Sequence, residues 1–285
     1  MITESTVRLR VRTLPSLPTT VVAMGQAVSD ERCTVDRILG ILAKDPPLSA
    51  TMLRMANSAM YAGDRRVTDL RSAVLRLGFD AMLNLGRTAA IIRSFRGATH
   101  LDALRLWQHS VAVGITAKGI CRLLKNRALE EPAFLSGLLH DIGKIALDRC
   151  FPEEYSPVVD AIQAGRVCYE VESELLGMTH ADVGAMVAVN WNFADLLVEV
   201  IRDHHTPGPG AFLANLVYLC DLLVRARIPN GPADEVLAFS LEELPPFREV
   251  FGGIPADQLD LERLTFSIDD ELEHAIAFVK LAFQD

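Results

Sequence analysis

Apolar residues recur three and four positions apart along most of this chain, the spacing that lines one face of a helix. Val35, Ile38, Leu39 and Leu42 form one such stripe, which ends at Asp45-Pro46-Pro47. Leu48, Met52, Leu53 and Met55 form a second, stopping near Asn57-Ser58. Thr68 is placed to cap a third helix carrying Leu70, Ala73, Val74 and Leu77 and closed by Gly78. Met82, Leu83, Leu85, Ala89 and Ile92 continue the pattern over 80–95. The first 100 residues therefore read as a bundle of about four or five short helices. Further helices are predicted near 101–125, 131–148, 153–164, 168–176, 180–190, 194–204 and 210–226, and a last amphipathic one at 268–283. Pro132, Pro152, Gly165, Gly177, Pro207-Gly208-Pro209-Gly210 and Pro229-Asn230-Gly231-Pro232 punctuate them. One stretch breaks the rule. Thr6-Val7-Arg8-Leu9-Arg10-Val11-Arg12 alternates strictly and predicts a strand: an arm, a small ribbon or an edge that pairs with another subunit.

The pattern predicts an all-α fold. An N-terminal helical bundle (1–100) packs on a second helical domain (101–230), and an acidic helical extension (231–285) follows. The chain is half hydrophobic but only 6% aromatic, so its core is built from Ala, Leu, Val and Ile. No apolar run approaches the roughly 20 residues of a membrane span. Met1-Ile2-Thr3-Glu4 lacks a basic-then-apolar leader. The five cysteines are widely spaced and form no C-x-x-C pair, which reads as buried thiols in a reducing compartment. A cytoplasmic location is expected.

Charge divides the chain. Residues 1–100 hold 14 Lys+Arg against 8 Asp+Glu, and residues 101–285 hold 14 against 29. The basic part is almost all arginine. It would suit an anionic partner, or simply dock on the acidic part. Net acidity and the absence of aromatic-basic interleaving count against nucleic-acid binding.

The chemistry lies in an ordered series: His109, His140-Asp141, His180, His204-His205, Asp221. Imidazole nitrogens with carboxylate oxygens suit a divalent transition metal. Asp221 stands in Leu219-Cys220-Asp221-Leu222-Leu223, where a bare carboxylate must be paired or metal-bound. His109, His140, Asp141 and Asp221 suffice for one ion, and His180, His204 and His205 could supply a second. Adjacent histidines on a helix point about 100° apart, so both would bind only with side-by-side ions or with one as an outer partner. On one helix Lys144 would share the face of His140 and balance phosphate charge, while a metal on His140 and Asp141 polarises a phosphate oxygen or a water. Gly137 and Gly143 would let helices pack closely there. The alternative is a polar core network without an ion. Asn57 and Ser58 read as a helix end. Trp107 and Trp191 read as core, and Glu174 as a solvated helix face more than an additional ligand.

The series resembles the HD superfamily of metal-dependent phosphohydrolases. More closely the chain resembles an HDOD domain, related to HD-GYP cyclic di-GMP phosphodiesterases, to about residue 226. The resemblance rests on Leu14-Pro15-x-Leu17-Pro18, Asp45-Pro46-x-Leu48, Leu53-x-x-x-Asn57-Ser58 and Ala73-Val74-x-x-Leu77-Gly78. It rests further on Gly137-Leu138-Leu139-His140-Asp141-Ile142-Gly143, Glu174 with His180-Ala181-Asp182-Val183-Gly184, and His204-His205. It implies that the seven residues of the series match the ligand positions of active HD-GYP enzymes, and that Lys144 matches their phosphate-facing lysine. If there is turnover, Asp141 and Lys144 would be the catalytic residues. One departure stands out: where an HD-GYP enzyme has Gly-Tyr-Pro, this chain has Thr206-Pro207-Gly208-Pro209-Gly210.

The family resemblance thus implies a bacterial signal-transduction module that binds a partner protein or a nucleotide, with one or two Fe, Mn or Zn ions. The alternative it carries is a metal-dependent phosphodiesterase or phosphohydrolase, on a cyclic dinucleotide in the HD-GYP case. Oligomeric state is left open, a homo-oligomer included.

Overall fold

The computed structural model describes residues 1–61, 65–227, 243–253 and 261–283. Every regular element among them is a helix, as the periodicity predicts. The predicted strand over 6–12 is itself one, α1 (Glu4–Val11). Thr3 caps it by accepting from the Thr6 N–H, and Val7 and Val11, one turn apart, are both buried. Leu9, which the alternation placed on the same face, is 67% exposed. The interleaved arginines hid an i, i+4 valine pair. A strand would have left its edge unpaired, whereas a capped helix satisfies its own backbone.

Contacts divide the chain into two compact units. One comprises Pro15–Arg96 with Glu273–Asp285. It holds α2 (Thr19–Val28), α3 (Val35–Leu42), α4 (Pro46–Ala56), α5 (Leu70–Leu77) and α6 (Phe79–Ser94). The longest of these, α6, packs against α2, α4 and α5. Their contacts bury Met24, Met52, Met55, Leu85 and Ile92. Local sequence sets each boundary. Thr34 caps α3, and Asp45 caps α4 ahead of two prolines that need no N–H partner there. Asp69, not the expected Thr68, caps α5: its carboxylate accepts from the Ser72 N–H at 2.8 Å. Gly78 then turns the chain into α6 at φ +86°, a conformation that costs glycine little. Asn57 ends α4, as predicted.

The other unit comprises Met1–Leu14 and Gly97–Leu272. After α1 come α7 (Ala103–Leu123), α8 (Glu130–Leu139), α9 (Ile142–Cys150), α10 (Pro152–Gln163) and α11 (Cys168–Leu176). Then follow α12 (His180–Asn190), α13 (Asp195–Asp203), α14 (Phe212–Arg225) and α15 (Pro245–Phe251). A final helix, α16 (Leu261–Phe283), includes the predicted 268–283 segment, with Ala275 and Val279 buried but Ile276 exposed. The Pro229–Pro232 punctuation and much of the acidic extension lie outside the described residues. Trp107 and Trp191 are core, as expected. So are four of the five cysteines, while Cys33 is partly exposed.

The single helix predicted over 131–148 is two. The ladder breaks at His140-Asp141, where Asp141 takes φ −98°, ψ 7° ahead of α9. Two glycine contacts then bring backbones together. A Cβ on Gly137 would lie 2.5 Å from the Gly114 nitrogen, so α8 and α7 touch main chain to main chain. A Cβ on Gly143 would lie 1.8 Å from the His180 carbonyl oxygen, so α9 meets the start of α12 in the same way. No helix among the described residues is long and apolar enough to cross a membrane.

Candidate metal centre

These close contacts decide where the ionisable groups go. His109 comes from α7, and His140 and Asp141 from the break between α8 and α9. His180 is the first residue of α12, fixed there by the capping box of Thr179 and Asp182. His204 and His205 follow the end of α13, and Asp221 lies on α14. All seven converge. His140, His180, His204, Asp141 and Asp221 are each at most 4% exposed.

The ligand atoms form two groups that meet at Asp141. On one side His109 Nε2 lies 3.0 Å from Asp221 Oδ1 and 3.9 Å from Asp141 Oδ2. His140 Nε2 lies 3.4 Å from Asp141 Oδ2 and 3.8 Å from Asp221 Oδ1. On the other side His180 Nε2 and His204 Nε2 lie 3.2 and 3.9 Å from Asp141 Oδ1. His205 Nε2 is 2.8 Å from His180 Nε2. The adjacent histidines follow a helix end, so the 100° rule of a continuous helix does not hold. One ligand atom each from His180, His204 and His205 fall within 4.8 Å of one another.

Hydrogen bonds set the tautomers. His140 Nδ1 donates to the Gly137 carbonyl and His204 Nδ1 to the Ile201 carbonyl, both at 2.7 Å, because a carbonyl can only accept. In the neutral ring, each Nε2 then keeps a lone pair aimed into the pocket. The Nε2 atoms of His140 and His204 and Oδ1 of Asp141 are buried and have no hydrogen-bond partner. Buried polar atoms without partners cost roughly 1–3 kcal/mol each. Such atoms on both sides of Asp141 could hold an ion, and imidazole nitrogens with carboxylate oxygens are donors that fit Fe, Mn or Zn.

Charge is arranged to match. Burial pushes the Asp141 carboxyl up, but His140, Lys144 and His180 outweigh it and hold the pKa well below the carboxylate range. Burial acts likewise on Asp221, where Arg225, His109 and His140 prevail. Burial, with the nearby His140 and His180, holds His204 far below the usual imidazole value, and His205 is lowered by burial, His204 and His180. His180 runs the other way. Burial opposes its charge, yet Glu172 and Asp141 raise its pKa well above the ordinary value. The two Nε2 atoms of His180 and His205 face each other at 2.8 Å, so without an ion one of them must carry a proton.

Lys144 reaches the pocket by a different route from the one predicted. It is not on a helix shared with His140; from α9 its Nζ meets Asp141 Oδ2 at 2.8 Å. Burial lowers its pKa, but Asp141 more than compensates and keeps it protonated. Glu174 is exposed and pairs with Arg166 at 2.6 Å, as a solvated face would. Glu172 was missed. It is fully buried and holds His180 Nδ1 at 2.5 Å. Its signal was present: Cys168, Glu172 and Leu176 occupy one helical stripe, so a carboxylate stands at an apolar position, the same clue that marked Asp221. Asp148 was missed too; it accepts from the Thr99 and His100 N–H groups, a backbone role outside the pocket. The 206–210 loop brings no aromatic ring, but Tyr169 of α11 stacks on His205 at 5.2 Å and 25°.

Comparison with known proteins places this geometry. The HDOD domain family model matches residues 14–207. The crystal structure of an HDOD domain protein of unknown function from Geobacter sulfurreducens is 25% identical, with TM-score 0.81 over 99% of both chains. That of a protein from Shewanella amazonensis SB2B, described as a phosphohydrolase, is 26% identical, with TM-score 0.77 over 98% of both chains. A protein from Treponema pallidum (strain Nichols) is 26% identical over 198 residues, 69% of this chain. This chain spans only 38% of that relative's length.

Proposed function

The chain belongs to the HDOD domain family, and on that premise we propose that it is a regulatory module built around a divalent-metal centre. His109, His140, Asp141 and Asp221 hold one ion and His180, His204 and His205 a second, with Asp141 facing both. The observation that carries this is a pair of unpartnered buried imidazole nitrogens beside Asp141: His140 Nε2 at 3.4 Å from its Oδ2 and His204 Nε2 at 3.9 Å from its Oδ1. A closed polar network would have paired them. Bound there, an ion supplies Lewis acidity toward a phosphate oxygen or a water.

The chain's own groups do the rest. Glycine contacts hold the ligand helices at main-chain distance. Lys144 remains cationic beside Asp141 and offers charge to an anion entering the pocket. His204 and His205 remain neutral and so keep lone pairs for coordination. Output passes by non-covalent contact with a partner protein or a nucleotide that senses the pocket's state. A second reading, a metal-dependent phosphohydrolase, is favoured by Lys144 standing 2.8 Å from Asp141 and by the description of the Shewanella relative. The sequence at 206–210, without the tyrosine of Gly-Tyr-Pro, weighs against cyclic di-GMP as its substrate.

Elemental analysis of protein purified without chelator is the test. One or two transition-metal ions per chain are expected, with loss in His140→Ala and Asp141→Ala. No metal, and no uptake of added Mn, Fe or Zn, overturns the reading. Turnover of cyclic dinucleotides, nucleotides or aryl phosphates that vanishes in those two variants would move the assignment to the hydrolase.

A further inference from the structure

We propose that Glu172 is the positioning residue for the second ligand group, fixing the His180 ring so that its Nε2 is presented to an ion shared with His204 and His205. This deepens the metal-centre reading and rests on it. Glu172 grips His180 at two points with one oxygen. Its Oε2 accepts from the His180 backbone N–H at 2.7 Å and lies 2.5 Å from the ring Nδ1. Its other oxygen, Oε1, accepts from the Tyr155 hydroxyl at 2.9 Å and from the Cys168 thiol at 3.4 Å. A carboxylate offers about four acceptor positions, and donors take all four here. Both Glu172 and Tyr155 are fully buried.

Cys168, Glu172 and His180 also have the residue types of a third metal group. The geometry speaks against that use. Two atoms bound to one ion at about 2.1 Å and at right angles or wider stand at least about 3.0 Å apart. Nδ1 and Oε2 are only 2.5 Å apart, too close for two ligands of one ion and at the short limit for a charge-assisted N–H···O bond, usually about 2.7–2.9 Å. The proton lies between them, and Nε2 is left for the pocket. A ring held at its backbone and at Nδ1 cannot flip to present the wrong nitrogen. His140 and His204 receive the same service from main-chain carbonyls. His180 opens its helix at N1, has no carbonyl of a preceding turn to use, and takes a carboxylate from α11 instead.

Removing such an outer partner costs about 10–100-fold in metal affinity. The effect should fall on one ion. Glu172→Gln replaces an acceptor oxygen by a donor amide at a site where every neighbour already donates. Calorimetric titration of this chain, freed of metal, with Zn(II) should show two binding events in the wild type. In Glu172→Gln one should weaken 10–100-fold, and the other should stay within about twofold. Tyr155→Phe, which removes one donor yet keeps both bonds to His180, should retain both events. Long-range 15N–1H spectra of the zinc-loaded wild type should show His180 protonated at Nδ1 with a far-downfield proton; this measurement needs no variant to fold. Equal zinc affinities in Glu172→Gln and wild type overturn the positioning role alone. So does a His180 ring whose Nδ1 carries no proton. Absence of zinc uptake by the wild type overturns the metal-centre reading itself, and the role assigned to Glu172 with it.

Discussion

Asn57 and His140 both stand at the C-terminal end of a helix, one in each compact unit, and their hydrogen bonds end differently. Asn57 donates to the Leu53 and Val67 carbonyls and accepts from the Val67 N–H, all within 3.0 Å. Its amide is spent on the main chain. His140 satisfies Nδ1 on Gly137 and leaves Nε2 buried without a partner. The contrast extends to the motifs around them. Asp45-Pro46-x-Leu48 is a cap, a proline in the first helical turn and a buried leucine. Ala73-Val74-x-x-Leu77-Gly78 is a buried pair and a positive-φ glycine. In the unit of residues 15–96 Asn57 and these two motifs are accounted for by folding, and the Ser58 hydroxyl beside them is a single buried oxygen without a partner. In the unit of residues 97–272 folding accounts for the glycines but not for the lone pairs. Shared motifs in one protein can therefore have different causes, and it is the clustering of imidazole and carboxylate atoms, not a lone unpartnered group, that points to chemistry.

The sharpest way to break this contrast is to substitute glycines in the two units. Gly143→Ala would drive a methyl into the His180 carbonyl and the Gly184 nitrogen, main-chain atoms that cannot swing aside. A loss of about 3 kcal/mol or more is expected, at the upper end for overpacking, together with zinc uptake. Gly40→Ala on exposed α3, with nothing within 4 Å of the new methyl, should instead gain up to about 1 kcal/mol. Urea denaturation of both variants checks this; two equally mild effects would mean that α9 and α12 do not touch as described.

Acid should separate the units next. Asp141, Asp221 and Glu172 are buried with pKa values below their ordinary 3.8, 3.8 and 4.5. For Glu172 burial works upward and His180 more than reverses it. A depressed carboxylate contributes stability that is complete above its unfolded pKa and is lost as pH falls through the folded one. The raised His180 contributes stability below its unfolded value that is lost as pH rises through its folded pKa. Metal-free protein should thus lose thermal stability steeply below about pH 4.5, and Asp221→Asn should flatten that fall. The lowered carboxylates of the other unit, Asp30 and Asp69, lie at the surface and should add little. A melting temperature unchanged between about pH 6 and about pH 3 would contradict the buried charge pattern.

The smallest effect sharpens the contrast from the other side. Asp45→Ala should cost about 1 kcal/mol as a lost cap, read by thermal melting, and leave zinc stoichiometry untouched.

Much of this was legible in the sequence, and the failures have physical causes. Helical stripes revealed the helices because burial selects one face. The ligand series was legible because carboxylates and imidazoles set into apolar stretches need partners. Residues 6–12 misled because arginines at Arg8, Arg10 and Arg12 imposed a period of two on a helix. Arg10 in fact donates to the Cys150 carbonyl, and its guanidinium lies 4.6 Å over the Phe151 ring. The break at His140-Asp141 was hidden because no proline or side-chain cap marks it in the sequence. Glu172 showed itself only as a carboxylate on the apolar Cys168–Leu176 stripe; its partner, His180, lies on the next helix, and a hydrogen bond between helices leaves no periodic trace of its own.

The order in which the pocket's side chains occur along the chain has a consequence for its birth. His109 comes first and Asp221 last, and every element between them contributes only when it has docked. Closing that span costs loop entropy before any contact repays it. During synthesis, His109 and His140-Asp141 leave the ribosome well before α14 exists, so a nascent chain shows incomplete ligand sets. The first group can be completed only after Asp221 emerges. Completion of the first group is therefore a late event, and a chain cut short at residue 207 would carry all five pocket histidines, and so the whole second group, yet lack Asp221.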